Sequence, residues 1–425
     1  MWTTTSWSWS GGCTSWGWCT PAWRWRSWGR PCGGSGATPQ SPFAPIRRHF
    51  WRRWTSSSAR CEGEGHMKVL VVGPSETGAR GGMAAVIRDI RESGTLGREF
   101  EIHTFPSYID GSLPRRLLYC AWAYLRFLSC YRAYDLFHLH TAERGSALRK
   151  AAYLRAIKRA GKRAVVHVHG AEFLDFYDGL GPWRRGIVDR LFHRADLVLA
   201  LSEGWRRELE ARFHTGNCRV LHNGVDPARL GAAVSDPAEH PHSFVMLGRL
   251  GARKGAYDLV EAAALAVERD PALSIVMAGD GEVEQVRALA AERGLEGCVT
   301  VLGWVDGPRK LELLKNAAAV VLPSYHEGLP MAVLEGMAAG KAIISTTVGA
   351  IPEAVGEENG ILVEPGDIPA LARALAELGG DTQRLRRMSA ANRARAEAVF
   401  SLQETHRALA ECYRRAAEGG GETWS

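Results

Sequence analysis

Short runs of aliphatic and β-branched residues alternate with longer amphipathic stretches from Met67 onward. The runs predict twelve strands, at 68–73, 100–104, 136–140, 164–169, 197–201, 219–222, 244–247, 274–278, 299–302, 320–322, 342–345 and 361–363. Strands that alternate with helical stretches in this way are typical of parallel sheets with crossover helices. The pattern therefore predicts an α/β fold.

The alternation breaks once, after the sixth strand. The turn 223–227 and the polar, proline-containing stretch 231–242 have the composition of a linker. We therefore expect two doubly wound, Rossmann-like domains, 67–230 and 243–400, whose strands end at a common cleft. The stretch 401–416 has helical spacing but no sheet left to complete, and we expect it to cross back onto the first domain.

Residues 1–66 differ from the rest of the chain. Ten of the fifteen tryptophans precede Met67, with no spacing that would bury one face of a strand or helix. The codons for Glu-Gly-Glu-Gly at 62–65 are rich in purines, as is a ribosome-binding sequence just before a start codon. We expect translation to begin at Met67 and residues 1–66 to be a non-native or disordered extension. The alternative is a disordered tail that adheres to membranes.

Charge and cysteine content exclude several classes of protein. Of the net charge of +7, residues 1–66 carry +6, so the remainder carries only +1 and predicts no nucleic-acid partner. The nine cysteines form no Cys-x-x-Cys pair, which predicts neither a zinc ribbon nor a disulfide framework. Reduced thiols of this kind indicate a cytoplasmic protein.

The segment 324–340 carries the most specific chemistry. It follows a buried strand and enters a helix near Pro330, so that the amides of Gly328–Met331 would lie at the positive end of a helix, where anions bind. Glu327 and Glu335 are separated by seven residues. The alternative interpretation is that Glu327 and Glu335 are two solvated charges on the surface of the protein.

Two further turns offer groups for a phosphate. Arg249 and Lys254 follow a strand that ends in glycine, and two cations there can offset the charge of a diphosphate leaving group; a solvated basic turn is the alternative. The glycine-rich loop from Gly78 to Gly82 also follows a strand, but it lacks the Gly-x-Gly-x-x-Gly fingerprint of dinucleotide enzymes.

The segment 324–340 resembles the E-x7-E signature of the retaining, nucleotide-sugar-dependent glycosyltransferases of family 4, which have the two-domain GT-B fold. The resemblance implies that Glu327 contacts the hydroxyls of the donor sugar, that Glu335 contacts the ribose, and that His169 faces the sugar. It also implies donor-binding roles for Gly81, Gly82, Arg249, Lys254, Trp304 and Val305, and for the backbone of Gly328, Leu329, Pro330 and Met331.

The resembled family implies a hexosyltransferase that moves a sugar from a nucleoside-diphosphate sugar to a glycan or lipid-linked acceptor, as in bacterial polysaccharide and envelope assembly. No Asp-x-Asp occurs in the chain, so we expect neither a metal nor another cofactor. Two alternatives stay open, a GT-B nucleotide-sugar epimerase and a catalytically silent nucleotide-sugar-binding protein. The second is disfavoured because Glu327, Arg249, Lys254 and His169 are all present.

Two histidine pairs end neighbouring predicted strands, His138 with His140 and His167 with His169. Because alternate residues of a strand share a face, the four imidazoles can come together. A zinc site with Glu143 or Glu172 as a further ligand is one interpretation. Burial of His138, His140 and His167 with satisfied hydrogen bonds is the other, favoured interpretation.

The stretch 114–134 combines Arg115, Arg116, Arg126 and Arg132 with leucines and aromatic residues. It predicts either an interfacial helix that serves a lipid-linked acceptor or, as the favoured interpretation, an ordinary packed helix with an arginine-rich rim. The first interpretation would place the enzyme at the inner face of the membrane, in weak peripheral contact with it.

Overall fold

The computed structural model describes residues 66–77 and 82–418. Its first parallel sheet has six strands in the order β2-β1-β3-β4-β5-β6. Their bounds are Met67–Pro74 (β1), Phe100–Tyr108 (β2), Leu136–Thr141 (β3), Arg163–Val168 (β4), Leu197–Ala200 (β5) and Cys218–Val220 (β6). The helices between them are Gly82–Glu92 (α1), Leu113–Cys130 (α2), Gly145–Arg159 (α3), Phe173–Asp178 (α4), Pro182–Arg194 (α5) and Glu203–Phe213 (α6), and the short helix Pro227–Leu230 (α7) follows β6.

The second parallel sheet also has six strands, in the order β12-β11-β10-β7-β8-β9. Its strands are Ser243–Leu247 (β7), Ser274–Ala278 (β8), Val299–Leu302 (β9), Ala319–Leu322 (β10), Ala342–Thr346 (β11) and Gly360–Val363 (β12). Its helices are Ala256–Ala266 (α8), Val283–Glu292 (α9), Gly307–Lys315 (α10), Met331–Ala338 (α11), Ile351–Ala354 (α12), Ile368–Gly380 (α13) and Thr382–Val399 (α14), and a last helix follows at Leu402–Glu418 (α15).

The strand β1 is apolar on both sides over residues 69–72, because helices cover both faces of the sheet. In β1, Leu70 and Val72 face the layer that holds α2, whereas Val69 and Val71 face the layer that holds α1 and α15. The last helix thus completes the core of the first domain, with Tyr413 fully buried.

The predicted α/β architecture is confirmed, and all twelve predicted strands are present. β2 continues four residues beyond its predicted end at 104 and includes Pro106. Proline cannot donate a hydrogen bond to a sheet, but β2 is an edge strand and tolerates it. The six-residue helix α4 was not predicted, because its sequence Phe-Leu-Asp-Phe-Tyr-Asp is too short to establish a helical period.

Candidate active site

The acid-rich segment lies between β10 and α11, at the carboxyl edge of the second sheet. Pro330 occupies the residue before the first turn of α11, so the helix begins where the sequence predicts. Within the described part of the chain, the amides of Gly328, Leu329 and Met331 donate to no acceptor. The positive end of α11 is therefore available to an anionic group.

Two glycines in the left-handed backbone region fix this loop from either side. Gly255 has φ +68°, and a Cβ there would lie 2.0 Å from the carbonyl oxygen of Pro323. Gly349 has φ +59°, and a Cβ there would lie 2.0 Å from the carbonyl oxygen of Glu327. Only glycine allows both the conformation and the close approach, so neighbouring backbone holds the loop in place.

Glu327 is an almost fully buried carboxylate with two partners. Its Oε1 forms an ion pair with Lys254 Nζ and accepts a hydrogen bond from Ser324 Oγ at 2.8 Å. The side chain of Glu327 is 7% exposed and that of Lys254 is 16% exposed. Glu327 is therefore not a solvated surface acid. It forms a largely buried ion pair with Lys254.

Glu335 has a lysine of its own. Lys310 Nζ, from α10, lies 2.5 Å from Glu335 Oε1, and the glutamate side chain is 15% exposed. Sequence reasoning missed both Lys310 and Ser324. Lys310 lies 25 positions before Glu335 on a different helix, and no spacing rule connects them.

Arg249 lies at the turn after β7, and its side chain is exposed. No described residue forms a hydrogen bond or an ion pair with it. The neighbouring Arg253 instead donates to the carbonyl oxygen of His326 at 3.0 Å. Of the two predicted cations, Arg249 is available to a ligand, whereas Lys254 forms an ion pair with Glu327.

Residues of the first domain also lie beside the start of α11. Gly82 begins α1, and a Cβ on it would lie 3.4 Å from Met331 Cγ, so the amino-terminal ends of α1 and α11 lie close together. Asn223 donates to the carbonyl oxygen of Leu329 at 2.9 Å. Gly81 lies outside the described residues. Two positive helix ends therefore converge on one point between the domains.

His169 follows β4 and lies beside the acid-rich loop. A Cβ on Gly328 would lie 3.4 Å from its carbonyl oxygen. Its Nε2 is hydrogen-bonded to His140 Nδ1 at 2.8 Å. Burial lowers the pKa of His169 to about 3, so the ring is neutral at pH 7. With Nε2 occupied, Nδ1 is the ring nitrogen left for a substrate.

The other histidines stack behind His169 in the core. His138, His140 and His167 are buried, as favoured, and His138 Nδ1 is 2.8 Å from the hydroxyl of Tyr413. Their hydrogen bonding is incomplete, because His140 Nε2 and His167 Nε2 have no partner among the described residues. Burial lowers the pKa of all three, to about 3 for His138.

A metal fits this stack poorly. Ligand atoms of His138, His140 and His167 lie within 4.8 Å of one another. However, the rings of His138 and His167 are inclined by only 10° and those of His138 and His140 by 32°. Both ring nitrogens of His138 are also hydrogen-bonded already, Nδ1 to the hydroxyl of Tyr413 and Nε2 to His167 Nδ1 at 3.3 Å, so His138 offers no free ligand atom.

Trp304 and Val305 follow β9, at the edge of the second sheet. The amide of Gly279 donates to the carbonyl oxygen of Gly303 at 3.2 Å, which joins this turn to the one after β8. The indole of Trp304 is 62% exposed. The pair lies two strands along from β7 and three from β10, on the flank of the sheet away from Glu327.

Two glutamates outside the predicted site residues also lie between or beside the domains. Glu353 of α12 accepts hydrogen bonds from the amides of Glu203 and Gly204 at 2.9 and 2.7 Å, at the start of α6 in the first domain. Glu143 follows β3 and has its Oε2 buried, with no partner in the described chain. That oxygen lies against Gly170, next to His169.

Two family models match most of the chain. The Glycosyltransferase Family 4 model matches residues 68–229, and the model of Glycosyl transferases group 1 matches residues 232–395. The amylovoran biosynthesis glycosyltransferase AmsK of Erwinia amylovora is 28% identical over 302 residues, which are 67% of this chain and 71% of AmsK. The glycogen synthase of Mycobacterium tuberculosis is 28% identical over 253 residues, which are 56% of this chain and 60% of the synthase.

Solved structures share the architecture. HepE of Anabaena, in complex with UDP, has a TM-score of 0.67 at 20% identity and covers 82% of this chain and 100% of its own. Sucrose-phosphate synthase of Thermosynechococcus elongatus has a TM-score of 0.68 at 19% identity and covers 82% of this chain and 99% of its own. With both halves matched by the family models and the whole fold by these structures, the chain belongs to the family 4 glycosyltransferases of GT-B fold and is itself a glycosyltransferase.

Proposed function

We propose that the enzyme transfers a hexose from a nucleoside-diphosphate sugar to a glycan or lipid-linked acceptor, with retention of configuration and without a metal. The observation that carries this proposal is the closeness of the amino-terminal ends of α1 and α11, where a Cβ on Gly82 would be in van der Waals contact with Met331 Cγ, at 3.4 Å. The unpaired amides at the start of α11, together with the positive end of α1 beside them, form a site for a diphosphate.

The charges around this point suit a departing diphosphate. Arg249 is open to a ligand, and Lys254 is close enough to Glu327 to be shared between that carboxylate and a bound phosphate. HepE, a structural neighbour, has been solved with UDP-glucose. We therefore assign the free amides at the start of α11, beside the start of α1, to the diphosphate and the turns at Gly279 and Trp304 to the nucleoside.

In the proposed reaction Glu327 fixes the sugar by its hydroxyls, and neutral His169 donates or accepts one further hydrogen bond. The bond between the anomeric carbon and the diphosphate oxygen breaks, and the acceptor hydroxyl bonds to that carbon on the same face. The proton of the hydroxyl passes to the departing diphosphate. Positive charge from Arg249 and the helix ends stabilises the charge that develops on the leaving group.

We place the acceptor on the first domain, near Glu143, whose buried Oε2 has no partner in the described chain. Relatives such as AmsK act in polysaccharide biosynthesis, which favours a growing glycan as acceptor. We propose the cytoplasm as the compartment, because Cys120, Cys130, Cys218, Cys298 and Cys412 are free thiols.

A donor screen tests the proposal. The full chain is mixed in turn with UDP-, GDP- and ADP-sugars, and binding is followed by saturation-transfer NMR and by the shift in thermal unfolding. One nucleotide class should raise the midpoint of unfolding and receive saturation on both base and sugar protons. Failure of every nucleotide sugar to bind, at millimolar concentration, would refute the proposed donor.

Transfer is expected to persist in excess EDTA. No Asp-x-Asp is present in the chain to bridge a metal and a diphosphate, and Arg249 with two helix ends supplies positive charge instead. The measurement is the initial rate with and without EDTA, followed by addition of Mn²⁺ or Mg²⁺. Loss of activity that only a divalent cation restores would contradict this prediction.

Replacement of Glu335 by alanine should mainly weaken donor binding. It removes a contact to the ribose that exists in the ground state and the transition state alike, so KM for the donor should rise about tenfold while kcat changes little. Glu296→Ala, at an exposed position away from the site, is the matched control. An unchanged KM would show that Glu335 is only the partner of Lys310.

A further inference from the structure

Helix α2 (Leu113–Cys130) is apolar on the side that faces water as well as on the side that faces the core. Ala123 and Phe127 are buried, and Phe127 packs against Tyr131, Phe137 and Tyr153. The other side carries residues that are between 41% and 73% exposed, namely Leu113, Leu117, Leu118, Trp122, Leu125 and Leu128. We call these six residues the outer face of α2.

An outer face of this kind is unusual for a helix in contact with water. Six of the eleven large hydrophobic residues that are exposed in the described chain belong to it. Single exposed leucines need no explanation, whereas a contiguous apolar patch marks a surface that another molecule covers. The packed helix favoured from the sequence describes the inner side of α2, where Ala123 and Phe127 are buried, and it does not account for the exposed leucines of the outer face.

The charged residues beside the outer face are all basic. From 111 to 134 the chain contains four arginines and no acidic residue. At 100° per residue, Arg115 and Arg126 project along one edge of the outer face, and Arg126 lies 5.4 Å from the ring of Trp122. An apolar stripe with a basic edge fits an anionic surface that has an apolar interior.

The position of α2 leaves this face uncovered. The helix packs on β2, the edge strand of the first sheet, and within residues 66–77 and 82–418 no further strand or crossover helix follows on that flank. It begins directly after the carboxyl end of β2, on the edge of the sheet that also carries His169 and Glu143. A surface that covers α2 is thus next to the proposed acceptor side of the cleft.

We propose that the outer face of α2 docks on an anionic phospholipid bilayer. The leucines and Trp122 enter the boundary between headgroups and acyl chains, while Arg115 and Arg126 meet lipid phosphates. A second copy of the chain fits less well, because a two-fold contact would bring the same arginines together. In the described residues no helix is long and apolar enough to cross a bilayer. The proposal does not depend on the transfer reaction.

The test compares two double variants of the full chain in cosedimentation with phosphatidylglycerol vesicles at low salt. Arg115→Glu with Leu118→Glu alters the outer face. Leu265→Glu with Arg269→Glu makes the same change of charge at exposed positions of the second domain. The first should lower the partition coefficient at least about tenfold, and the second should leave it near that of the wild type. Binding of the wild type should fall in high salt and with phosphatidylcholine vesicles.

Hydrogen exchange supplies a local measure, because it is observed at α2 itself. Amides of 113–130 should exchange more slowly in the presence of phosphatidylglycerol vesicles, and those of 256–266 should not change. Unchanged exchange in 113–130 would overturn the proposal, whatever the partition of the two double variants. So would a wild-type dimer that only the α2 variant dissociates, since the outer face would then bind a second copy.

Discussion

Replacement of Glu327 by glutamine is expected to lower kcat at least about 100-fold, with a smaller change in KM for the donor. The buried carboxylate is held by Lys254 and Ser324 at the end of β10. Glutamine keeps the size of the side chain but removes the charge that orients the sugar and pairs with Lys254. Steady-state kinetics with saturating acceptor measures the effect, and thermal unfolding checks that the variant is folded.

A double variant separates the roles of the two partners. If Lys254 acts mainly through Glu327, Glu327→Gln combined with Lys254→Met should cost little more in kcat than the single change of Glu327. If Lys254 also holds the diphosphate, the double variant should lose donor affinity as well. Equal and small effects of Glu327→Gln and Glu335→Ala on kcat would contradict the assigned roles.

Replacement of Tyr413 by alanine is expected to lower the free energy of unfolding by about 3–5 kcal/mol. Its ring is fully buried in the first domain, where it packs edge-on against Phe100 at 5.3 Å between centroids. Its hydroxyl is hydrogen-bonded to His138 Nδ1. Tyr413→Phe keeps the ring and leaves that nitrogen without its partner, and it should cost about 1–3 kcal/mol.

Urea unfolding followed by circular dichroism measures both variants. Tyr257→Phe is the matched control, because it removes a hydroxyl whose hydrogen bond to Glu282 is exposed. A loss for Tyr413→Ala no larger than that of the control would show that α15 contributes little to the first domain.

The fold could be predicted from the sequence because its signal is local. Runs such as Val-Leu-Val-Val in β1 and Ala-Ile-Ile-Ser in β11 are long enough to mark buried strands, and the helices between them have clear spacing. The acid-rich loop could be found for a similar reason, since a strand, a Gly-Leu-Pro turn and a helix follow one another without interruption.

The contacts within the site could not be predicted because they join separate elements. Lys254 and Glu327 are 73 positions apart, and Glu353 reaches amides 150 positions away. The sequence presents Lys254 as a cation for phosphate, whereas folding places it on a carboxylate. Composition alone also could not decide which side of α2 faces the core, since both sides are apolar.

The configuration of the product at the anomeric carbon tests the central claim most directly. With the donor identified by the screen, transfer to a glycan acceptor is followed by proton NMR, and the coupling of the new anomeric proton is measured in the product. A retaining enzyme gives a product with the configuration of the donor sugar, and this is the expected result. An inverted linkage, or an epimerised nucleotide sugar with no sugar transferred, would contradict it.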